Sequence, residues 1–276
     1  MRNKIIAITG HKGVIGSNFI KKFKNNRFIK CKTNVKNRKK IFKWIKNNNF
    51  DLFIHLAAIV PIEKVNNRKL EATKVNYIGS KNIVDAIIKY KKKNIWFFFS
   101  STSHVYKYSK NKIYENSKIS PINHYGKTKY LAEKYIYNKF KKNNVKFCIG
   151  RIFSFTDVKQ KNSFFIPSMF KKLKKKINKK LVLKNMNNKR DFVSVIDIAK
   201  AIDLLYKNLN IGIYNIGSGK GYYLFEIVNL ISKLLKSKRK IEFIGNTKGM
   251  NLVSNIVKIK RIGWKTNTNL IQTLKK

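Results

Sequence analysis

Acidic residues are scarce: 12 Asp and Glu stand against 63 Lys and Arg, a formal charge of +51 at pH 7. Proline, at 3, is too rare to mark domain boundaries. Cysteine occurs only at Cys31 and Cys148, far apart, the second inside the apolar run 145–152. Both therefore read as reduced thiols, and a disulfide framework is excluded. The four histidines, His11, His55, His104 and His124, lack zincin spacing. His104 reads as a substrate contact and the other three as loop residues near strand ends rather than metal ligands, and no metal is expected. The few acids form no evident catalytic pair. No apolar run approaches the roughly 20 residues that cross a bilayer, and Met1-Arg2-Asn3-Lys4 leads directly into a strand pattern with no signal-peptide architecture. A cytoplasmic protein without a membrane partner is the expectation.

The basic excess invites a nucleic-acid reading. Yet it is spread along nearly every segment, is mostly Lys, and is accompanied by an excess of Asn and Ile, as an AT-rich coding sequence would give. No bZIP, zinc-finger or RNP-type motif accompanies it. The charge is read as a solvated surface, with no specific nucleic acid as partner, although a positive field would help to draw in a diphosphate.

Lys4–Thr9 is an apolar run of strand length ending in Gly10-His11-Lys12-Gly13-Val14-Ile15-Gly16, followed by a helical pattern on Phe19, Ile20 and Phe23. Strand, glycine turn and helix make a pyrophosphate site: glycines let the backbone approach the phosphates, and the free amides at the helix start receive the charge. A second strand over 28–33 ends at Lys32-Thr33-Asn34 without the acid that usually holds an NAD ribose. Lys30 or Lys32 beside a 2′-phosphate gives a slight preference for NADP over NAD. Asp51 to Ala58 reads as a buried parallel strand whose small end would let a dinucleotide lie against the sheet. A helical pattern over 70–90, with Asn76 on it, leads to the strand 95–99, then to Ser100-Ser101-Thr102-Ser103-His104-Val105-Tyr106, hydroxyls crowded where ligands bind in open α/β sheets.

Tyr125-Gly126-Lys127-Thr128-Lys129 opens the next helical pattern. An i,i+4 spacing puts Tyr125 and Lys129 on one face. A cation about 4 Å from a phenol, at an effective dielectric of about 20, is worth roughly 4 kcal/mol. That is about three units off a pKa near 10, enough for proton exchange near neutral pH. Glu133, four residues further, reads as a helix salt-bridge partner rather than a base. The alternation of strands and helices implies a doubly wound parallel α/β sheet of Rossmann type over residues 1–153. Residues 154–276, less regular, read as a smaller C-terminal substrate-binding lobe with some elements returning to the core.

Thr9-Gly10-x-x-Gly13-x-x-Gly16, His55-Leu56-Ala57-Ala58, the 100–106 run and Tyr125-x-x-x-Lys129 resemble an extended short-chain dehydrogenase. More narrowly they resemble the NAD-dependent epimerase/dehydratase family, which modifies nucleotide sugars. Arg190-Asp191-Phe192-Val193, Tyr214 to Gly219 and Ile262-Gly263-Trp264-Lys265 resemble that family's later motifs in the right order. The resemblance implies that Thr102, Tyr125 and Lys129 are catalytic. It places Gly10, Gly13, Val14, Ile15 and Gly16 at the pyrophosphate, Leu56, Ala57 and Ala58 along the NAD or NADP, and Tyr125 and Lys129 at the cofactor too, Lys129 at its nicotinamide ribose. Thr102, Ser103, His104 and Arg190 would meet the nucleotide-sugar substrate, Arg190 at its diphosphate. Ser103 and His104 replace the Asp-Glu pair of family dehydratases, so dehydration is not expected. The expected reaction is epimerisation or reduction at C4 of a nucleotide-activated hexose or deoxyhexose, with a homodimer as the assembly to test. The alternative weighed is a non-catalytic basic Rossmann-fold protein binding RNA, against which the joint presence of Thr102, Tyr125 and Lys129 argues.

Overall fold

The computed structural model describes residues 4–60, 62–90, 94–157, 159–175, 180–245, 250–267 and 270–274; Met1–Asn3, read as leading into the first strand, lie outside them. The first half runs β1 (Ile5–Thr9), α1 (Val14–Lys22), β2 (Arg27–Lys30), α2 (Arg38–Lys46), β3 (Leu52–His55), α3 (Ile62–Asn67) and α4 (Lys69–Thr73). A π-helical turn (Lys74–Ile78), α5 (Gly79–Tyr90), β4 (Trp96–Thr102), a 3-10 turn (Ser103–Val105), α6 (His124–Lys142) and β5 (Lys146–Ile152) follow. The second half comprises β6 (Ser154–Thr156), α7 (Phe165–Lys174), β7 (Leu181–Lys184), β8 (Lys189–Ser194), α8 (Val195–Lys207), β9 (Gly212–Ile216) and β10 (Gly221–Tyr223). It closes with α9 (Leu224–Leu234), β11 (Ile241–Ile244), α10 (Val257–Arg261) and α11 (Leu270–Leu274).

Six parallel strands form the central sheet in the order β2-β1-β3-β4-β5-β9. Strand residues alternate between its faces, and helices cover both. In β4, Trp96 and Phe98 face a core with Phe19 of α1 and Ile198, Ile202 and Leu205 of α8. Phe97 and Phe99 face the opposite core with Ile41 of α2, Ile83 and Ile87 of α5, and Ile136 and Phe140 of α6. Apolar residues at consecutive positions are what a strand buried on both faces requires. The strand order reverses between β1 and β3, and the crevice beyond their carboxyl ends is the topological switch point, where ligands bind in this architecture.

The second half divides its elements. β9 and α8 complete the central sheet, while α7, β7, α9 and α11 surround their own apolar core of Ile166, Met169, Leu181, Leu183, Phe192, Ile227, Val228 and Leu270. Buried Asp191 of β8 ties the two parts: its carboxylate accepts from the backbone N–H groups of Ser218, Gly219 and Ser254 and from both serine hydroxyls.

Three local expectations differ. β2 stops at Lys30, so Lys32, Thr33 and Asn34 lie in the following loop. The helix over 70–90 is interrupted by the π-turn. There Asn76 turns inward, its Oδ1 accepting from Ile59 N–H at 2.8 Å and its amide donating to the Ile59 carbonyl at 3.1 Å. That extra residue per turn is the kind of irregularity found beside functional sites. His55 and His124 are not loop residues: His55 ends β3, fully buried, and His124 opens α6.

Candidate active site

The glycine turn lies at the switch point. Gly10 has φ +70°, the left-handed region that glycine tolerates. A Cβ on Gly10 would sit 2.7 Å from the Ala57 nitrogen, and one on Gly16 would sit 2.4 Å from the Gly10 carbonyl oxygen. Both positions therefore require glycine, and the turn stays tight enough to leave the α1 amide groups facing outward. Gly13 occupies the N-cap without a side-chain hydrogen bond, so the first-turn amides, beginning at Val14 and Ile15, have no side-chain oxygen. A diphosphate fits such a cradle. Thr9 fixes the loop beyond β3: its hydroxyl accepts from the Leu56 and Ala57 N–H groups at 3.2 Å and meets His55 Nδ1 at 2.7 Å. His55 Nε2 reaches the Ser80 hydroxyl at 2.9 Å, and burial holds the imidazole neutral, down at about 3. Leu56, Ala57 and Ala58 are thus presented along the crevice by a buried chain of hydroxyls and imidazole.

The other wall is the start of α6. Asn123 caps it, Oδ1 accepting from Gly126 N–H at 2.8 Å. A Cβ on Gly126 would lie 2.2 Å from the His104 carbonyl oxygen, so only glycine lets α6 lie against the loop after β4. That approach brings Tyr125 near Thr102, the last residue of β4, whose side chain favours the ionised phenol. His104 packs edge-on against Tyr125, ring centroids 5.9 Å apart, and Arg190 of β8 is the cation that acts on His104. Thr102, His104, Tyr125 and Arg190 are thereby brought together from β4, the 3-10 turn, α6 and β8. Ser103 is buried within that 3-10 turn. Arg190 Nη1 donates to the Lys189 and Met250 carbonyls, and its guanidinium lies 5.3 Å over the Tyr108 ring.

The electrostatics of Tyr125 differ from expectation. Burial pushes its phenol above the ordinary value, with Thr102 acting the other way. The Lys129 ammonium lies 4.1 Å over the Phe99 ring. Lys129 is 1% exposed, and burial pulls it down to about 7, with Glu133 acting in the opposite direction.

Glu133 completes the i,i+4 row of Tyr125 and Lys129, but its partner lies outside the helix. Arg151 of β5 donates to both carboxylate oxygens, Nη2 at 2.7 Å and Nε at 3.1 and 3.2 Å, and the Ser101 hydroxyl donates to Oε1. Ser101 and Arg151 are register partners across β4 and β5. The buried pair therefore clamps α6 to the strand that carries Thr102. Asn76 adds a second clamp through Thr128 at 3.1 Å. These positioning groups, with Asn123, were missed from the sequence. The Asn two residues before Tyr125 is a readable cap signal, whereas Arg151 and Glu133, 18 residues apart, meet only through the fold.

At the end of β2, Lys32, Thr33, Asn34, Lys36, Asn37 and Lys40 line a cavity of about 570 Å³ that contains no carboxylate. Burial lowers the His11 imidazole in the glycine turn below its ordinary value, with Lys12, Lys30 and Lys32 acting in the same direction. Among the described residues no cluster of His, Cys, Asp and Glu could hold a metal ion, and no helix is long and apolar enough to cross a membrane.

The doubly wound sheet, the glycine turn at its switch point and the Tyr-x-x-x-Lys helix define a short-chain dehydrogenase of the extended type. Solved structures agree on the fold. UDP-glucose 4-epimerase of Thermus thermophilus, in complex with NAD, has a TM-score of 0.87 at 17% identity, covering 98% of this chain and 96% of that one. RMD from Pseudomonas aeruginosa, complexed with NADPH, has a TM-score of 0.88 at 19% identity, covering 99% and 96%. By sequence, a UDP-glucose 4-epimerase of Mycoplasma genitalium is 26% identical over 306 residues, 93% of this chain and 89% of that protein. Residues 6–217 match the model of the NAD dependent epimerase/dehydratase family, and the chain belongs to that family.

Proposed function

We propose that this enzyme acts at C4 of a nucleotide-activated hexose or deoxyhexose, as an epimerase or a 4-keto reductase. The observation that carries the reading is the convergence of Thr102, His104, Tyr125 and Arg190 beside one another, together with a glycine turn that only glycine can form. Gly10, Gly13, Val14, Ile15 and Gly16 would hold the pyrophosphate of a nicotinamide dinucleotide, and Leu56, Ala57 and Ala58 would flank it. When bound, that group supplies the hydride donor and acceptor. Tyr125 takes or gives the proton of the C4 oxygen, and Thr102 hydrogen-bonds the same oxygen and orients the phenol. Lys129, buried one helical turn on, serves the nicotinamide ribose with its amine. Arg190 receives the substrate's diphosphate through its planar fork of donors.

The dinucleotide is NAD(P), and the cavity at Lys32–Lys40 supports a modest preference for NADP. The nearby Glu71 carboxylate is paired with Lys36 at 2.6 Å, which leaves Lys32 and Lys40 for a 2′-phosphate, and one partly exposed lysine contributes on the order of 1 kcal/mol, roughly five- to tenfold. The reading places the protein in the cytoplasm, where nucleotide sugars are made, with a homodimer as its assembly. Incubating the pure protein with a panel of nucleotide sugars, with and without each dinucleotide in its oxidised and its reduced form, tests it. Conversion at C4 of at least one sugar is expected. Failure across UDP-, GDP-, ADP- and dTDP-hexoses and their 4-keto derivatives would overturn it.

A further inference from the structure

Two partly buried hydrogen bonds at the start of α6 fix the chemical form of a side chain beside Tyr125. Asn123 Oδ1 is committed to the helix cap, accepting from Gly126 N–H at 2.8 Å. The reversed amide would set its NH₂ against that N–H and leave the helix end uncapped, a loss of about 1 kcal/mol. The amide nitrogen therefore faces His104 Nδ1, at 2.9 Å, and an amide nitrogen can only donate. Nδ1 must accept, and in a neutral imidazole the hydrogen is then on Nε2. The backbone is held as firmly: the His104 carbonyl accepts from Ile122 N–H at 3.1 Å and seats Gly126. The groups facing the ring are Tyr125 of α6, its N-cap Asn123 and Arg190 of β8, while Thr102 accepts from the His104 backbone N–H. Arg190 is the only charge among them, and it disfavours a second cation.

We infer that His104 is a specificity-determining residue: Asn123 locks its imidazole as the Nε2–H tautomer, which offers a hydrogen-bond donor, and no base, to an oxygen substituent of the substrate near the carbon that Tyr125 serves. The inference rests on the reading of Tyr125 and the nucleotide sugar above. A donor that does not take up a proton steadies an oxygen without removing a carbon-bound hydrogen, so the site has no group here to drive elimination. It selects substrates with an oxygen at that position over deoxy analogues. The low basicity of the ring, pulled down to about 4 by burial and then Arg190, keeps it in this form throughout the neutral range.

Nitrogen-15 spectra of the histidine side chains in the full-length protein, assigned with His104→Gln, test the tautomer without substrate. A pyridine-type Nδ1, a pyrrole-type Nε2 and no titration near the ordinary 6.5 are expected. Asn123→Asp keeps the cap but replaces the donor by an acceptor, so His104 should move its hydrogen to Nδ1 and titrate higher. An Nδ1–H ring in the wild type, or a ring indifferent to Asn123→Asp, overturns the inference. On a sugar that the wild type converts, His104→Phe should raise KM about tenfold with a smaller effect on kcat, and His104→Gln should recover most of the loss. An unchanged KM in His104→Phe overturns the specificity role. If no nucleotide sugar is converted, the role falls with the substrate reading, while the tautomer result stands separately.

Discussion

Replacing Lys129 by Met should make the protein more stable while removing its chemistry. Burial brings the ammonium from 10.5 to about 7. The difference, 10.5 − 7 or about 3.5 units at roughly 1.4 kcal/mol each, puts the penalty on the fully protonated folded state at about 5 kcal/mol. This is an upper bound, since the Phe99 ring beneath the ammonium and local relaxation recover part of it. A gain on the order of 2 kcal/mol at neutral pH is expected for Lys129→Met, or about 4–8 °C in melting temperature for a chain of this size. The sign follows from linkage. Because the folded value is the lower one, the unfolded chain binds the extra proton between pH 7 and 10.5, and this group's contribution to stability rises with pH across that window. The gap between variant and wild type should therefore be widest at and below pH 7 and narrow towards 10.5. Calorimetric melts of both proteins across that window, without added dinucleotide, measure it. A variant that melts at or below the wild type at pH 7 would refute the reasoning and show that Lys129 is stably accommodated as a cation.

Tyr125→Phe should abolish turnover while dinucleotide affinity stays within about twofold, checked by nicotinamide fluorescence titration; full turnover would refute its role. Glu133→Gln leaves Arg151 buried without its counter-ion and should destabilise by about 3–5 kcal/mol in denaturant unfolding, whereas a surface pair such as Lys180–Glu242 should contribute under 1 kcal/mol. NADPH should bind about five- to tenfold more tightly than NADH, and a tenfold preference for NADH would show that another residue holds the ribose. RNA association should be weak, without sequence preference, and should fall steeply with salt in filter-binding assays.

Much of this architecture is legible in the sequence, because its signals are local. An apolar run ending in a glycine turn before a helical pattern marks β1 and α1, and the Tyr125–Lys129 spacing places both residues on one helix. What is not legible depends on contacts distant in sequence. Lys129 lies over Phe99 because the Phe97/Phe99 face of β4 passes under α6, which no periodicity reveals. The π-turn at Asn76 answers a loop residue, Ile59, 17 positions earlier. Asn123 is readable as a cap, yet its second contact, to His104, exists only because Gly126 lets the helix approach the loop after β4.

The central claim is that hydride transfer at C4, with Tyr125 handling the oxygen's proton, performs the reaction. The most direct measurement is conversion of an accepted nucleotide sugar in heavy water, with the C4 position of the product read by NMR. Hydride chemistry keeps solvent hydrogen out of that carbon, so protium at C4 is predicted. Deuterium at C4 would mean that a base removes and returns a proton there, and would contradict the account.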